Sequence, residues 1–195
     1  MEKDGIISGC KILIIGGSAG SLKVLMELLP RLTAFPTFTI VIVLHRKNTE
    51  DTTLEELFAL KSSFPVNEVE DKTPLEKGTI YVAPSGYHLL FEREELLSLD
   101  ASEKINYSRP SIDVSFESAA EVYGKGLTAV LLSGANADGT EGLRAIEKTG
   151  GTIIIQDPLT AEIPFMPHNA LQQITPDYVV GISELCDLIN HINFY

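Results

Sequence analysis

The feature that most constrains the fold is an alternation of short apolar runs with longer amphipathic stretches along the whole chain. The apolar runs are rich in β-branched residues and predict strands: Ile12–Ile15, Phe38–Leu44, Ile80–Val82, Thr128–Leu132, Thr152–Ile155 and Tyr178–Val180. The amphipathic stretches predict helices: Ser21–Leu32, Asp51–Lys61, Val114–Val122, Asp138–Thr149 and Ser183–Ile192. This rhythm predicts an α/β fold, in which an open, mostly parallel sheet is covered by helices on both faces.

Three segments do not follow the alternation. His88–Leu99 has two strand-like arms around a charged turn and predicts an antiparallel hairpin at the edge of the sheet. Asn106–Ile112 and Gln156–Leu171 are rich in turn residues and predict loops. With 195 residues and 44% hydrophobic positions, the chain is predicted to form a single domain, residues 1–195.

Charge and cysteine content limit the classes of partner. The formal net charge of −12 argues against nucleic acid, because such binding is driven by Lys and Arg at the phosphates. No signal-peptide pattern opens the chain and no apolar run is long enough to insert in a membrane, so we expect a cytoplasmic protein. Cys10 and Cys186 lie beside apolar segments, which predicts buried thiols. A disulfide between them stays an alternative.

The first predicted strand leads into a candidate nucleophile. Residues 16–21 read Gly-Gly-Ser-Ala-Gly-Ser and match the G-x-S-x-G pattern between a strand and a helix. Ser18 would then be the nucleophile, and the Ala19 N–H could bind the oxyanion. The alternatives are a phosphate-binding turn or a plain connection. The glycine spacing does not fit a dinucleotide site, and there is no Walker lysine.

A base and a carboxylate follow two other predicted strands. His45 comes directly after the second strand, and the carboxyl ends of parallel strands are where such sheets bind ligands. His168, in a loop, is a minor alternative. Asp138 follows the strand Thr128–Leu132 and could orient the imidazole of His45. It also begins a pattern typical of a helix capping box, and both roles could coexist. The order Ser, His, Asp differs from that of the α/β-hydrolases.

These residues resemble the catalytic domain of the chemotaxis protein-glutamate methylesterases, the CheB type. The resemblance spans nearly the whole chain and rests on six ordered blocks: residues 14–20, 41–45, 82–88, 108–114, 132–139 and 166–171. It implies hydrolysis of glutamate methyl esters on chemoreceptor signalling helices by Ser18, His45 and Asp138, with glutamine deamidation in some members. It also implies that no metal or organic cofactor is needed, and that the Ala135 backbone completes the oxyanion hole with Ala19.

The resemblance and the charge balance together suggest substrate-binding residues. The acidic chain needs local positive charge to meet an acidic receptor helix, which makes Arg46, Lys47 and Arg109 candidates. Met166, in the last matching block, is a further candidate. The expected partner is a methylated chemoreceptor, and a separate response regulator or kinase is another. Each cation could equally be an ordinary solvated charge.

Three departures from the family pattern keep other functions open. Ala19 stands where the family commonly has a hydroxyl residue, and residues 135–137 read Ala-Asn-Ala where a Met-Gly-Asn sequence is usual. Only about ten residues precede the first strand, so we expect no attached receiver domain. The alternatives are a hydrolase of the same fold acting on another ester or amide, and a catalytically silent receptor-binding module.

Overall fold

The structure is a computed structural model that describes residues 7–33, 37–46 and 53–192. Its strands are β1 (Ile12–Gly17), β2 (Thr39–Leu44), β3 (Val66–Glu68), β4 (Thr73–Pro74), β5 (Ile80–Val82), β6 (His88–Glu92), β7 (Leu96–Asp100), β8 (Leu127–Leu131), β9 (Thr152–Gln156) and β10 (Tyr178–Val180). Its helices are α1 (Ser21–Leu28), α2 (Thr53–Lys61), α3 (Ile112–Tyr123), α4 (Thr140–Thr149), α5 (Phe165–Leu171) and α6 (Ile182–Asn190). The α/β class is confirmed.

Seven strands form one parallel sheet in the order β10-β9-β8-β1-β2-β5-β3. From β1 the chain moves to β2 on one side, and it later returns to β8 on the other side. The strand order therefore reverses at β1. In open α/β sheets, a crevice at the carboxyl ends beside this reversal is the usual binding place.

Alternate residues of the central strands enter two apolar cores, one on each face of the sheet. Leu13 and Ile15 of β1 pack with α1 and α6, whereas Ile12 and Ile14 pack with α3 and α4. Both sets are almost fully buried. Burial on both faces explains why the strands are apolar at consecutive positions instead of at alternate ones.

The predicted hairpin forms, but its place differs from the prediction. β6 and β7 pair antiparallel, and β4 joins β7, so the hairpin belongs to a separate three-stranded sheet and not to the edge of the main one. One face of this small sheet packs against α3 in the apolar core, through Leu89, Phe91 and Leu97. The edge position of the main sheet next to β5 is taken by β3.

Several short elements were not predicted, and several boundaries differ. α5 lies in the segment that we predicted as a loop. The helix tolerates Pro167 because this residue lies in its first turn, where the missing N–H costs no hydrogen bond. α1 ends at Leu28 and continues as a 3-10 turn containing Pro30. α3 starts at Ile112, two residues before the predicted start. The predicted helix start at Asp51 lies outside the described residues.

Two further expectations concern the cysteines and the membrane. Cys10 and Cys186 are both buried thiols in the same apolar core, and no disulfide joins them. Burial raises the pKa of Cys10 to about 11, so its thiol stays protonated. Among the described helices, none combines the length and the apolar character that a bilayer crossing requires.

Candidate active site

The turn after β1 carries Ser18 at the point where the strand order reverses. Its backbone N–H donates to the Ser133 carbonyl over 2.9 Å, so the turn is joined to the segment that follows β8. Ser133 Oγ donates back to the Ala19 carbonyl over 2.7 Å. Gly20 has a φ of +85°, and a Cβ there would lie 2.5 Å from Ser133 Oγ, which explains the need for glycine. Ser18 is held half-buried above the sheet.

His45 and Asp138 meet at the carboxyl ends of β2 and β8. His45 Nε2 lies 2.6 Å from Asp138 Oδ2, a short distance typical of a charge-assisted hydrogen bond. With Nε2–H donating to the carboxylate, Nδ1 keeps the lone pair that could accept a proton. The His45 N–H also donates to the Gly17 carbonyl over 3.1 Å, which ties the histidine to the turn that carries Ser18. Among the described residues, no hydrogen bond joins Ser18 Oγ to His45.

Asp138 is fully buried and accepts four hydrogen bonds. Oδ2 accepts from His45 Nε2 and from the Ile112 N–H at 2.7 Å. Oδ1 accepts from Ser111 Oγ at 2.9 Å and from the Asp113 N–H at 3.0 Å. Burial alone would raise the pKa of Asp138, but the hydrogen bonds from His45 and the two backbone groups outweigh it and lower that pKa. The carboxylate is therefore ionised and fixed in orientation.

The capping box predicted at Asp138 is wrong, because Asp138 does not cap its own helix. The N-cap of α4 is Gly139, which has no side chain of its own to cap the helix. Asp138 instead accepts from the first N–H groups of α3, while Asp113 of α3 accepts from the Gly139 and Gly142 N–H groups at 2.9 and 2.8 Å. Asp138, which precedes α4, thus caps α3 together with Ser111, and Asp113 of α3 caps α4.

Asp113 gives this pair of helices a pH-dependent stability. Burial raises its pKa to about 7, and the adjacent Asp138 carboxylate adds to the shift, although the Gly142 and Gly139 N–H groups oppose it. In the unfolded chain the carboxyl would have its ordinary pKa of 3.8. Between these pH values the unfolded state binds fewer protons than the folded state, so the free energy of unfolding falls as the pH rises.

We therefore expect Asp113→Asn to remove part of this pH dependence. An asparagine can still accept the two glycine N–H groups, but it does not titrate. Urea unfolding between about pH 4 and about pH 7 should show a smaller loss of stability in the variant than in the wild type. Asp187→Asn, the same change at an exposed position of α6, serves as control. Parallel curves for wild type and Asp113→Asn would contradict the assignment.

Two backbone N–H groups beside Ser18 are available to a ligand. Ala19 and Ala135 are exposed, and neither N–H has a hydrogen-bond partner among the described residues. The Ala135 segment is positioned through Gly134, whose N–H donates to the Ile163 carbonyl and whose carbonyl accepts from the Met166 N–H. That these two amides form an oxyanion hole stays a prediction.

Ser111 and His88 support the carboxylate, and the sequence analysis did not identify them. Ser111 is the N-cap of α3, and its N–H donates to His88 Nδ1 over 3.1 Å. The opposite nitrogen of His88 donates to the Glu103 carbonyl at 2.9 Å. His88 is buried and neutral in this arrangement, since Nδ1 must accept. Serine before an apolar helix is a recognisable N-cap signal, but nothing local connects it to Asp138.

The comparisons with known proteins show which family this chain belongs to. A family model described as CheB methylesterase matches residues 13–189. The chain belongs to the CheB methylesterase family. A Leptospira interrogans protein is 40% identical over 176 residues, which cover 90% of this chain and 91% of that protein. The family resemblance predicted from the sequence is thereby confirmed.

A Thermotoga maritima relative links the family to a solved structure. The protein named protein-glutamate methylesterase/protein-glutamine glutaminase is 33% identical over 177 residues. The alignment covers 89% of this chain and 51% of that protein, so this chain spans about half its length. The crystal structure of the Thermotoga maritima CheB methylesterase catalytic domain matches with a TM-score of 0.87 and 33% identity. It covers 92% of this chain and 97% of that one.

The candidate substrate-binding residues of this CheB-family chain have different surroundings. Arg46 donates to Glu55 at 2.7 Å and to Glu68 at 2.6 Å, so its charge is neutralised within the protein. Arg109 lines a cavity beside His45. Lys47 lies outside the described residues. For Arg46, the structure contradicts the expectation of a charge available to substrate.

Met166 is fully buried, which excludes it from the surface that a substrate could touch. It supports the Ala135 segment from below: a Cβ at Gly134 would lie 2.5 Å from Met166 Cε and 3.0 Å from Ser18 Cβ. Met166 thus fills the space that a side chain at position 134 would need. Within the described part of the chain, no group of three or more His, Cys, Asp or Glu residues is arranged to bind a metal.

Proposed function

We propose that this chain hydrolyses glutamyl methyl esters on a chemoreceptor protein, with Ser18 as nucleophile, His45 as base and Asp138 as its orienting carboxylate. The observation that carries the proposal is the 2.6 Å bond between His45 Nε2 and the buried Asp138. It leaves Nδ1 to accept the Ser18 proton and stabilises the imidazolium that results. Ser18 lies at the end of the strand adjacent to His45.

The reaction follows from the groups on the two strand ends. His45 Nδ1 takes the Ser18 proton as Oγ attacks the ester carbonyl, and the Ala19 and Ala135 N–H groups bind the oxyanion. Collapse of the tetrahedral intermediate gives a glutamyl-serine ester, and His45 protonates the departing methanol. A water molecule deprotonated by His45 then releases the glutamate carboxylate and free Ser18. We expect Ser18 Oγ and His45 Nδ1 to come within hydrogen-bond distance when substrate binds, because apo sites often tighten in this way.

The proposed substrate class follows from the relatives. The Thermotoga maritima protein is named for both methylesterase and glutaminase activity, so we propose glutamine deamidation by the same acyl-enzyme route, with ammonia leaving. The proposed partner is a methylated chemoreceptor, and a separate response regulator or kinase is a second proposed partner. The proposed location of this chain is the cytoplasm.

The test is methanol release from a methyl-esterified receptor signalling fragment. We expect the wild type to release methanol and to label with a serine-directed fluorophosphonate. Hydrolysis of small esters without methanol release from the receptor would favour a different substrate. Absence of both labelling and hydrolysis in folded protein would favour a binding module and contradict the proposal.

A further inference from the structure

A cavity of about 580 Å³ beside His45 is lined by positive charges that the proposed hydrolysis does not use. Its described lining residues are His45, Arg46, Gly86, Lys104, Tyr107, Ser108 and Arg109. Three of them are cationic and none is acidic, in a chain with 27 acidic and 15 basic residues. A cavity of this size holds considerably more than one glutamyl side chain.

Two of the three cations form no ion pair with any residue that the structure describes. Arg46 is neutralised by Glu55 and Glu68. Lys104 is exposed and forms no ion pair with any described residue. Arg109 donates only to neutral groups, the carbonyls of Ala101 at 2.8 Å and Ser102 at 2.6 Å. Among the described residues, Lys104 and Arg109 form no ion pair, and only Asp100 lies within electrostatic range of Arg109.

The segment 104–109, which we call the basic hairpin, presents these two charges side by side. Ile105 and Ser108 exchange two backbone hydrogen bonds of 3.2 and 2.9 Å, which close a two-residue turn. Lys104 and Arg109 flank that bridge and face the same cavity. Like charges placed across a hairpin repel each other, so this pairing does not stabilise the hairpin.

The tip of the basic hairpin is turned outward. Asn106 and Tyr107 both have left-handed φ values, +49° and +64°, a conformation that costs free energy for residues other than glycine. Tyr107 is 96% exposed, so folding gains almost nothing from burying its ring. Aromatic side chains held in this way are typical of binding surfaces.

The basic hairpin is fixed relative to Asp138. The Glu103 carbonyl accepts from His88 Nε2, and the other nitrogen of His88 accepts from Ser111, which donates to Asp138. On the other side of the hairpin, the Arg109 carbonyl accepts from the Gly86 N–H at 3.3 Å. The two charges thus have a set position beside the candidate base.

We propose that the basic hairpin is a second subsite, in which Lys104 and Arg109 bind a free carboxylate of the substrate close to the esterified glutamate while Tyr107 packs against the same segment. The inference rests on the proposed function. On a helical substrate, residues three or four positions apart lie on one face. A glutamate one turn from the ester can therefore reach the hairpin while the ester lies at Ser18. The enzyme would select esters with acidic neighbours.

The experiment compares two helical peptides, each carrying one glutamyl methyl ester. One peptide has glutamates three and four residues away on both sides, and the other has glutamines there. We expect wild type to hydrolyse the first with kcat/KM roughly tenfold higher, through a lower KM, and high salt to reduce this preference. Lys104→Glu should abolish the preference, because kcat/KM on the glutamate peptide should fall to the value on the glutamine peptide or below it.

Lys77→Glu is the matched control. It makes the same charge change at an exposed lysine beside Ile12 and Thr39, at the amino ends of β1 and β2. This variant should keep the preference. Equal kcat/KM of wild type for both peptides, or a preference retained by Lys104→Glu, would overturn the subsite while leaving the esterase assignment intact. No hydrolysis of either peptide by wild type would overturn the proposed function itself.

Discussion

Ser18→Ala is expected to reduce methanol release from a methylated receptor fragment by about 10⁶-fold, the loss seen when a serine nucleophile is removed from a comparable triad. Among the described residues, the other hydroxyl in the segment 16–21, that of Ser21, is buried and donates to the Ser133 carbonyl, so it cannot take the place of Ser18. Labelling by a fluorophosphonate should disappear in the same variant. Both measurements use the folded protein and a substrate present well above KM.

The variant should keep its fold, which makes the result interpretable. Ser18 is half-buried, and the structure joins its turn to the rest of the protein through backbone groups, not through Oγ. Ser8 is an exposed serine before β1, at the amino ends of the strands and away from Ser18. Ser8→Ala should therefore retain full activity and labelling. Methanol release by Ser18→Ala within about tenfold of wild type would contradict the nucleophile assignment.

Replacement of Asp138 should affect catalysis and stability together. Asp138→Ala leaves His45, Ser111 and two backbone N–H groups without their acceptor in a buried place. Removing one partner from such a network costs about 3–5 kcal/mol. Urea unfolding should show this loss, and methanol release should fall about 10⁴-fold.

Asp138→Asn separates the two effects. Its amide oxygen can still accept hydrogen bonds, so the loss of stability should be smaller than for alanine. A neutral amide cannot stabilise the imidazolium of His45, and where its NH₂ group faces Nε2 it also reverses the tautomer and leaves no lone pair for Ser18. Methanol release should therefore fall about as far as in Asp138→Ala. Asp138→Asn with activity close to wild type would contradict the role of Asp138 as the orienting carboxylate.

The central sheet could be predicted because its strands are buried on both faces. Runs such as Thr39–Leu44 are apolar at every position that a water-exposed strand would make polar. β3 and β4 carry no such signal, since they are short, partly exposed and contain polar residues or proline. The position of the hairpin β6–β7 depends on its contacts with α3, which no local pattern reveals.

The candidate triad could be predicted for a related reason. Ser18, His45 and Asp138 each follow a predicted strand, and the ends of parallel strands converge at one edge of a sheet. The direction of the Asp138 side chain could not be predicted, because local sequence favours its own helix whereas the fold brings the N-terminus of α3 within reach. The neutralisation of Arg46 depends on Glu68, which is 22 residues away along the chain.

The exchange of caps between α3 and α4 has a consequence for unfolding. The Ile112 N–H of α3 and the Gly142 N–H of α4 are satisfied only when the two helix N-termini are docked together, so the two helices should open as one cooperative unit. That unit contains the partner of His45, and its opening would abolish catalysis while the central strands remain protected from solvent. Loss of activity on warming would then precede loss of the sheet. Amide exchange at Ile112 and Gly139 would report the first event, and exchange at Leu13 the second.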